Sequence, residues 1–330
     1  MGSKRILLDT DIGCDCDDAG AMAVLHTLAD KQEVDLIAVT HTTTTPYGAA
    51  CIDAINRYYG RPDIPIGALK GDAFLGGPEY DIYAGKTGRC FPGPYTDGPV
   101  PDALHVMRRV LQDVPDKSAT LLLTGQMRNA ARLLRSAPDA FSPLDGTELV
   151  RRKVGEIVIM GGCFFTPGGE DPVAYHLHAE YNLRCDIESA QYVADHCPVP
   201  IVYCGFELGS RVIVGKPLLD QGDIDNPVRF CYAVHRDAVH SDGGRESWDL
   251  LTALYAAKGM DGYFAKSPPG WIHVDGNGLT HMEEAEGGRD AYLIEKMPPD
   301  QMQQLLDDML LTPPRHKGKL LSLLVEAPAV

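Results

Sequence analysis

Positive charge is scarce in this sequence: 30 lysines and arginines face 46 aspartates and glutamates, a formal charge of −16. A nucleic-acid partner needs a clustered basic surface to neutralise phosphates, so that class of binder is set aside. Long apolar runs are missing too. Nothing approaches the ~20 apolar residues that a membrane-crossing helix needs, so no membrane partner is expected. Met1-Gly2-Ser3-Lys4-Arg5 leads straight into a short apolar stretch ending at Asp9, which leaves no room for a signal peptide. Ile6 stands where a myristoylation signal wants Ser or Thr. The nine cysteines have no regular spacing. Cys14 and Cys16 are too close together for a CxxC pair and nothing matches them further on, so neither zinc nor a disulfide framework is expected. The expectation from these absences is a cytoplasmic protein with reduced thiols.

Internal repeats and low-complexity linkers are absent as well, and one domain over 1–330 is the simplest organisation. Hydrophobic residues at 44% and charged residues at 23% are a globular composition. Short apolar runs read as strands at Arg5–Asp9, Leu36–His41, Ala119–Thr124, Glu156–Met160 and Ile201–Cys204. Amphipathic stretches alternate with them at Asp18–Ala29, Ala49–Tyr59, Ala103–Leu111, Ala130–Leu134 and Glu188–Ala194. That alternation predicts an α/β fold, doubly wound around a mainly parallel sheet. Such sheets carry their sites beyond the carboxyl ends of the strands. The chemistry-bearing residues fall there: Asp9 to Asp18, His41 to Thr45, and Gly125 to Asn129. Two segments, Gly71–Pro101 and Asp220–Gly244, read as long loop-rich excursions rather than boundaries.

Residues 9 to 18 run Asp-Thr-Asp-Ile-Gly-Cys-Asp-Cys-Asp-Asp. Crowded like charges are unfavourable unless something positive neutralises them. Hard oxygen donors in that number suit calcium or magnesium rather than zinc. Helix capping is the plainer explanation, but it would occupy one or two of the carboxylates and leave the rest unused. No frame supplies the Gly and Glu of an EF-hand loop. An aspartyl-phosphate phosphatase would use Asp9 and Asp11 and leave Asp17 and Asp18 idle.

Asp9-Thr-Asp11-Ile-Gly followed by Asp17-Asp18-Ala resembles the N-terminal signature of the inosine-uridine type nucleoside hydrolases, in a form with two extra residues before the Asp pair. The later pieces come in the family's order. Leu123-Thr-Gly-Gln-Met-Arg-Asn129 is similar to its Thr-Gly-Pro-Leu-Thr-Asn turn, and Ile159-Met160-Gly161-Gly162 to its Met-Gly-Gly. Ala179-Glu180-Tyr181-Asn182 resembles its Ala-Glu-Phe-Asn stretch, and Trp248-Asp249 stands where a helix begins with a metal-binding Asp. The resemblance implies a Rossmann-like nucleoside hydrolase fold and hydrolysis of the bond between ribose and base.

By the same resemblance, Ca²⁺ is held by Asp11, Asp18, Asp249 and the backbone carbonyl of Arg128. Asp11 also acts as the base and Asp17 accepts from the 2′-hydroxyl. Met160, Glu180 and Asn182 line the sugar pocket, while Asp9 and Asp15 support the ligands from behind. A homodimer or homotetramer is implied, acting on a small nucleoside.

Two positions depart from the pattern. Trp248 replaces a His that helps the base leave; it can stack but cannot transfer a proton, so His240, His235, His178 and Tyr232 become candidates for the missing acid. After the second strand, His41-Thr-Thr-Thr-Thr45 replaces an Asn, with Thr43 and Thr44 as stand-ins for its contacts to ribose. These departures leave room for a non-catalytic ribose-binding homologue.

Overall fold

The computed structural model describes residues 2–164, 179–318 and 320. Twelve strands are present among them: β1 Lys4–Thr10, β2 Val34–His41, β3 Ile66–Ala68, β4 Ala119–Leu123, β5 Val154–Met160, β6 Ile201–Cys204, β7 Ile213–Val214, β8 Arg245–Glu246, β9 Phe264–Lys266, β10 Gly270–Val274, β11 Thr280–Glu284 and β12 Ala291–Glu295. Eight of them form one sheet in the order β3-β2-β1-β4-β5-β6-β12-β9. All its pairings are parallel except the last, where β9 runs antiparallel to β12. β10 with β11 and β7 with β8 are separate antiparallel pairs.

β1 shows why the sheet needs helices on both faces. Its residues are nearly all buried, with none of the alternation of a half-wet strand. Ile6 and Leu8 pack into one apolar core and Leu7 into the other, because successive side chains of a strand point to opposite faces. The first core takes helices Asp17–Asp30, Gly48–Tyr58, Trp248–Lys258 and Pro299–Leu311. The second takes Ala103–Asp113, Arg128–Arg135, Gly146–Lys153 and Ile187–His196. Helices Asp17–Asp30 and Trp248–Lys258 pack against each other closely. A methyl group added at Gly20 would stand 2.5 Å from the Tyr232 hydroxyl and 2.8 Å from Leu250 Cδ1.

The topology positions the site. β1 is followed in the sheet by β2 on one side and by β4 on the other, so the chain switches direction between β1 and β4. In doubly wound sheets a crevice opens at that switch, beyond the carboxyl ends. Asp9 lies there in register with Thr40 of β2 and Leu123 of β4.

The five expected strands and five expected helices are all present, with ends shifted by a few residues at most. The short strands β3 and β7 to β9 carry too few residues for a pattern to register. The Gly71–Pro101 excursion holds short helices at Pro78–Tyr80, Ala84–Cys90 and Pro94–Asp97, and helix Pro227–Val239 forms the apolar middle of the second one.

Candidate active site

The loop after β1 is held from three sides. Asp9 is buried, and its Oδ1 accepts from Thr40 Oγ1 at 2.6 Å and Asn129 Nδ2 at 2.9 Å. Burial nonetheless pushes its carboxyl up to about 7 against those two hydrogen bonds. The chain then turns at Gly13, whose φ of +151° suits glycine. The Tyr83 hydroxyl clamps that turn, accepting from the Gly13 amide at 3.0 Å and donating to the Asp15 carbonyl at 2.7 Å. Tyr83 belongs to the Gly71–Pro101 excursion, so that loop's first visible task is to shape the acidic turn.

Asp17 and Asp18 open helix Asp17–Asp30, yet neither caps it: its N-cap is Cys16, with no side-chain hydrogen bond. Asp249 is likewise in the first turn of Trp248–Lys258, whose N-cap Ser247 makes no such bond either. The three carboxylates converge instead, each offering an oxygen within 4.8 Å of the others. Two like charges at 4.8 Å repel by roughly 3 kcal/mol at an effective dielectric of about 20, more than a helix cap returns. All three are buried, and their pKa values rise well above the carboxylate range. Burial is the first cause in each case. A neighbouring charge comes next: Asp15 for Asp17, Asp11 for Asp18 and Asp17 for Asp249. Thr10 and Thr124 hydroxyls donate to Asp18, and the Asp249 amide donates to Asp17. Buried hard oxygens of one sign are a donor set that fits a divalent cation.

Asp11 borders this trio. Gln126 Nε2 donates to its Oδ2 at 2.7 Å and also to Asn182 Oδ1 at 3.2 Å. Burial raises the Asp11 carboxyl to about 6, with the Gln126 hydrogen bond opposing. The Asn182 amide nitrogen donates to the carbonyls of Thr124 at 3.1 Å and Met160 at 3.3 Å. Glu180, unlike the aspartates, does cap a helix: its carboxylate accepts from the amides of Asn182 and Leu183. Burial raises it to about 7 against those bonds.

Above the acidic floor lies a cavity of about 320 Å³, within the range of small-molecule pockets. Asp11, Asp15, Asp17, Asp18 and Asp249 line it, with Met160, Glu180 and Asn182, the sugar-pocket residues expected from sequence, and Thr124 beside them. One wall is aromatic: Trp248 stacks on Phe206 with ring centres 5.2 Å apart, and its indole N–H donates to the Phe206 carbonyl at 2.9 Å. Cys14, Tyr181 and Arg245 complete the lining.

Other residues expected from sequence lie outside the described lining of the cavity. Arg128 does not line the cavity. It opens helix Arg128–Arg135, while its side chain pairs with Asp186 at 2.7 Å and covers the Phe74 ring. Thr124, at the end of β4, is the residue of that turn that reaches the cavity and Asp18. Thr43 and Thr44 also lie off the lining. The Thr44 hydroxyl is engaged by the backbone of Phe74, and Thr43 faces His41 and Thr45. Asp17, expected to accept from the 2′-hydroxyl, stands with Asp18 and Asp249 in the acidic trio.

Among the described residues, the candidate acids His240, His235 and Tyr232 do not line the cavity either. His240 is an exposed left-handed cap of helix Pro227–Val239. His235 and Tyr232 are buried on the same helix, His235 standing 3.8 Å from Asp15 on the far side of Arg245's ion pair. His178 lies outside the described residues. Asp15 pairs with Arg245, which sequence reading missed, along with Gln126 and Phe206. Gln126 lies within the Leu123–Asn129 motif, and Phe206 stands two residues past the end of β6, beyond the carboxyl end of the sheet.

The model of the family described as "Inosine-uridine preferring nucleoside hydrolase" matches residues 6–294. The pyrimidine-specific ribonucleoside hydrolase RihA of Klebsiella pneumoniae is 27% identical over 280 residues, 77% of this chain and 79% of that protein. RihA of Enterobacter sp. (strain 638) is 29% identical over 255 residues, 74% of this chain and 73% of that protein. Among solved structures, the inosine-uridine preferring nucleoside hydrolase of Bacillus anthracis superposes with a TM-score of 0.66 at 19% identity, covering 93% of this chain and 99% of that one. The type III effector XopQ, solved with adenosine diphosphate ribose, superposes at 0.68 with 18% identity, covering 94% of both chains. The aspartyl-phosphate reading falls with the family match. The chain belongs to the inosine-uridine preferring nucleoside hydrolase family, enzymes that cleave the N-glycosidic bond of ribonucleosides.

Proposed function

We propose that this chain hydrolyses ribonucleosides to ribose and free base with Ca²⁺ in the acidic floor of the cavity. The observation that carries the reading is the convergence of buried Asp17, Asp18 and Asp249 beside Asp11, beneath an aromatic wall. The ion's holders are Asp11, Asp18 and Asp249, with the backbone carbonyl of Arg128 as a further donor. A divalent cation there lowers the pKa of water and polarises ribose hydroxyls.

This chain's residues do the rest. Asp11, its carboxylate held in place by Gln126, takes a proton from the attacking water. Asp17 accepts from the 2′-hydroxyl. Glu180 and Asn182 present acceptor oxygens to the remaining hydroxyls, and Met160 closes the pocket beneath the sugar. Trp248 on Phe206 offers the base a stacking face and excludes water from it. Asp9 holds the strand end in position through Thr40 and Asn129. Residues 1–330 act as one catalytic unit, working in the cytoplasm as a homodimer or homotetramer.

Incubation with a panel of nucleosides, with and without a chelator, tests the reading by release of free base. Release that chelation abolishes is expected; no release from any nucleoside would sink the hydrolase assignment. Activity of Asp18→Ala equal to the parent's would sink the metal assignment. The likeness to XopQ favours one second reading, a ribose-binding protein without catalysis. Saturable nucleoside binding with no base release would select it.

A further inference from the structure

We propose that Arg245 is the leaving-group residue of this site: a guanidinium fork, held by Asp15, that donates hydrogen bonds to the departing base in place of a proton-donating acid. The proposal rests on the hydrolase reading above.

Arg245 is fixed in backbone by the β7–β8 pair, opposite Val214. Its guanidinium lies 5.0 Å from the centre of the Trp248 ring and lines the cavity. Asp15 grips one edge of it: Arg245 Nε reaches Oδ1 at 2.8 Å, and Nη2 donates to Oδ2. Nη1 donates to Glu246 at 2.7 Å. A guanidinium has five N–H donors in a fixed fork, so one remains on each terminal nitrogen. Asp15 exists at this point because the acidic turn is two residues longer than the commonest form of the motif. The longer turn and the arginine therefore read as one device.

The chemistry follows from charge flow. The C1′–N bond breaks with both electrons leaving on the base nitrogen, while positive charge grows on the sugar. In an oxo base, that electron pair delocalises onto a ring carbonyl oxygen. Arg245 donates hydrogen bonds to that oxygen and keeps its proton: burial opposes the charge, but Asp15, Asp17 and Glu246 together raise its pKa above the ordinary arginine value. Water supplies the base's proton after departure. The attacking water gives hydroxide to C1′ and a proton to Asp11, and that proton neutralises the hydroxide left when water protonates the base, so atoms and charge balance and Asp11 is restored. Asp15 and Glu246 cancel the distant field of the arginine, which would otherwise oppose the cationic sugar, while its directional donors remain.

The test compares wild type, Arg245→Gln, Arg245→Lys and Asp15→Asn on uridine, inosine and p-nitrophenyl β-ribofuranoside, whose phenolate departs without help. Loss of a preorganised donor to developing negative charge costs about 10²–10³-fold in kcat. Arg245→Gln is expected to lose about that on the two nucleosides and less than about 10-fold on the nitrophenyl riboside. Arg245→Lys keeps the charge but not the fork and is expected to recover little; Asp15→Asn should show the same split at smaller size. Calcium-induced heat stabilisation unchanged from wild type reports an intact metal site in each variant. Equal losses on all three substrates, or no loss on any, overturn the proposal. A wild type that cleaves neither nucleosides nor the nitrophenyl riboside overturns the hydrolase reading instead.

Discussion

The backbone amide of Asp249 donates to Oδ2 of Asp17 at 3.1 Å, joining helix starts that lie 232 residues apart in sequence. That hydrogen bond leaves Asp17 lone pairs directed at the same space as Asp18 and Asp249. Without a cation the arrangement is repulsive, and its cost grows as the carboxyls ionise. Raised native pKa values mean that the native state holds more protons than the unfolded one above the ordinary carboxylate range, so metal-free stability falls as pH rises. At pH 8 and with chelator present, Asp249→Asn should therefore melt higher than wild type, by about 2 °C or more, the effect of roughly 1 kcal/mol in a large domain. Calcium should raise the wild-type melting temperature and leave the variant's unchanged. Differential scanning calorimetry checks both; a variant that melts lower without metal and still responds to calcium contradicts the convergence.

Gln126 bridges Asp11 and Asn182 with one amide nitrogen, at 2.7 Å and 3.2 Å. Its backbone carbonyl is held in turn by the Thr42 hydroxyl at 2.9 Å. Gln126→Leu keeps the bulk and removes the donor, so Asp11 loses its orientation and the hydrogen bond that favours its charged form. Partners that orient metal-site ligands are worth about 10–100-fold in activity or metal affinity when removed. The expected result is a kcat lower by that factor with KM changed less than about 3-fold. Steady-state kinetics at saturating calcium separate this from loss of metal. A pure KM effect would assign Gln126 to substrate binding.

Much of this was readable from sequence where a residue's role follows from its neighbours in the chain. The strand ends, the Asp9–Asp18 turn and the start of helix Trp248–Lys258 are local features, and each is present as expected. What escaped was long-range pairing. Nothing near Arg245 in sequence announces that Asp15 is its partner, and nothing in Thr43-Thr44 announces that the backbone of Phe74 engages one of them. Arg128 poses a different problem. The motif match was right for the turn, but one turn offers several carbonyls, and only the path of the backbone decides which reaches the cavity. Thr124 ends up there because β4 stops one residue before it.

Trp248 stands where a proton donor would be expected and instead stacks on Phe206 at 5.2 Å, its N–H spent on the Phe206 carbonyl. Its contribution should be to hold the base and shield it. Stacking of a base on an aromatic side chain is worth about 1–3 kcal/mol by alanine substitution, so Trp248→Ala should lower kcat/KM by about 10–100-fold. Trp248→Phe keeps the stacking face and should recover most of it. If Trp248→His exceeded wild type, the site would be starved of a proton donor, and hydrogen bonding from Arg245 would not suffice.

His26 lies behind the site on helix Asp17–Asp30, fully buried, with Nε2 2.9 Å from Asn56 Oδ1 and its ring stacked on Tyr59 at 4.7 Å. Burial, aided by the charge of Arg61, lowers its pKa from 6.5 to about 3. Between those values the unfolded chain binds a proton that the native chain refuses, so unfolding is favoured as pH falls from about 6.5 toward 3 and the effect is absent above 6.5. One such proton contributes a slope of about 1.4 kcal/mol per pH unit. His26→Gln keeps a donor for Asn56 and removes the titration. Urea denaturation from pH 7 to pH 4 should give the variant a shallower loss of stability than wild type, approaching that difference in slope. Other titrating groups are common to both proteins and cancel in the comparison. Parallel curves would mean that the imidazole accepts its proton inside the native fold, which burial at this position forbids.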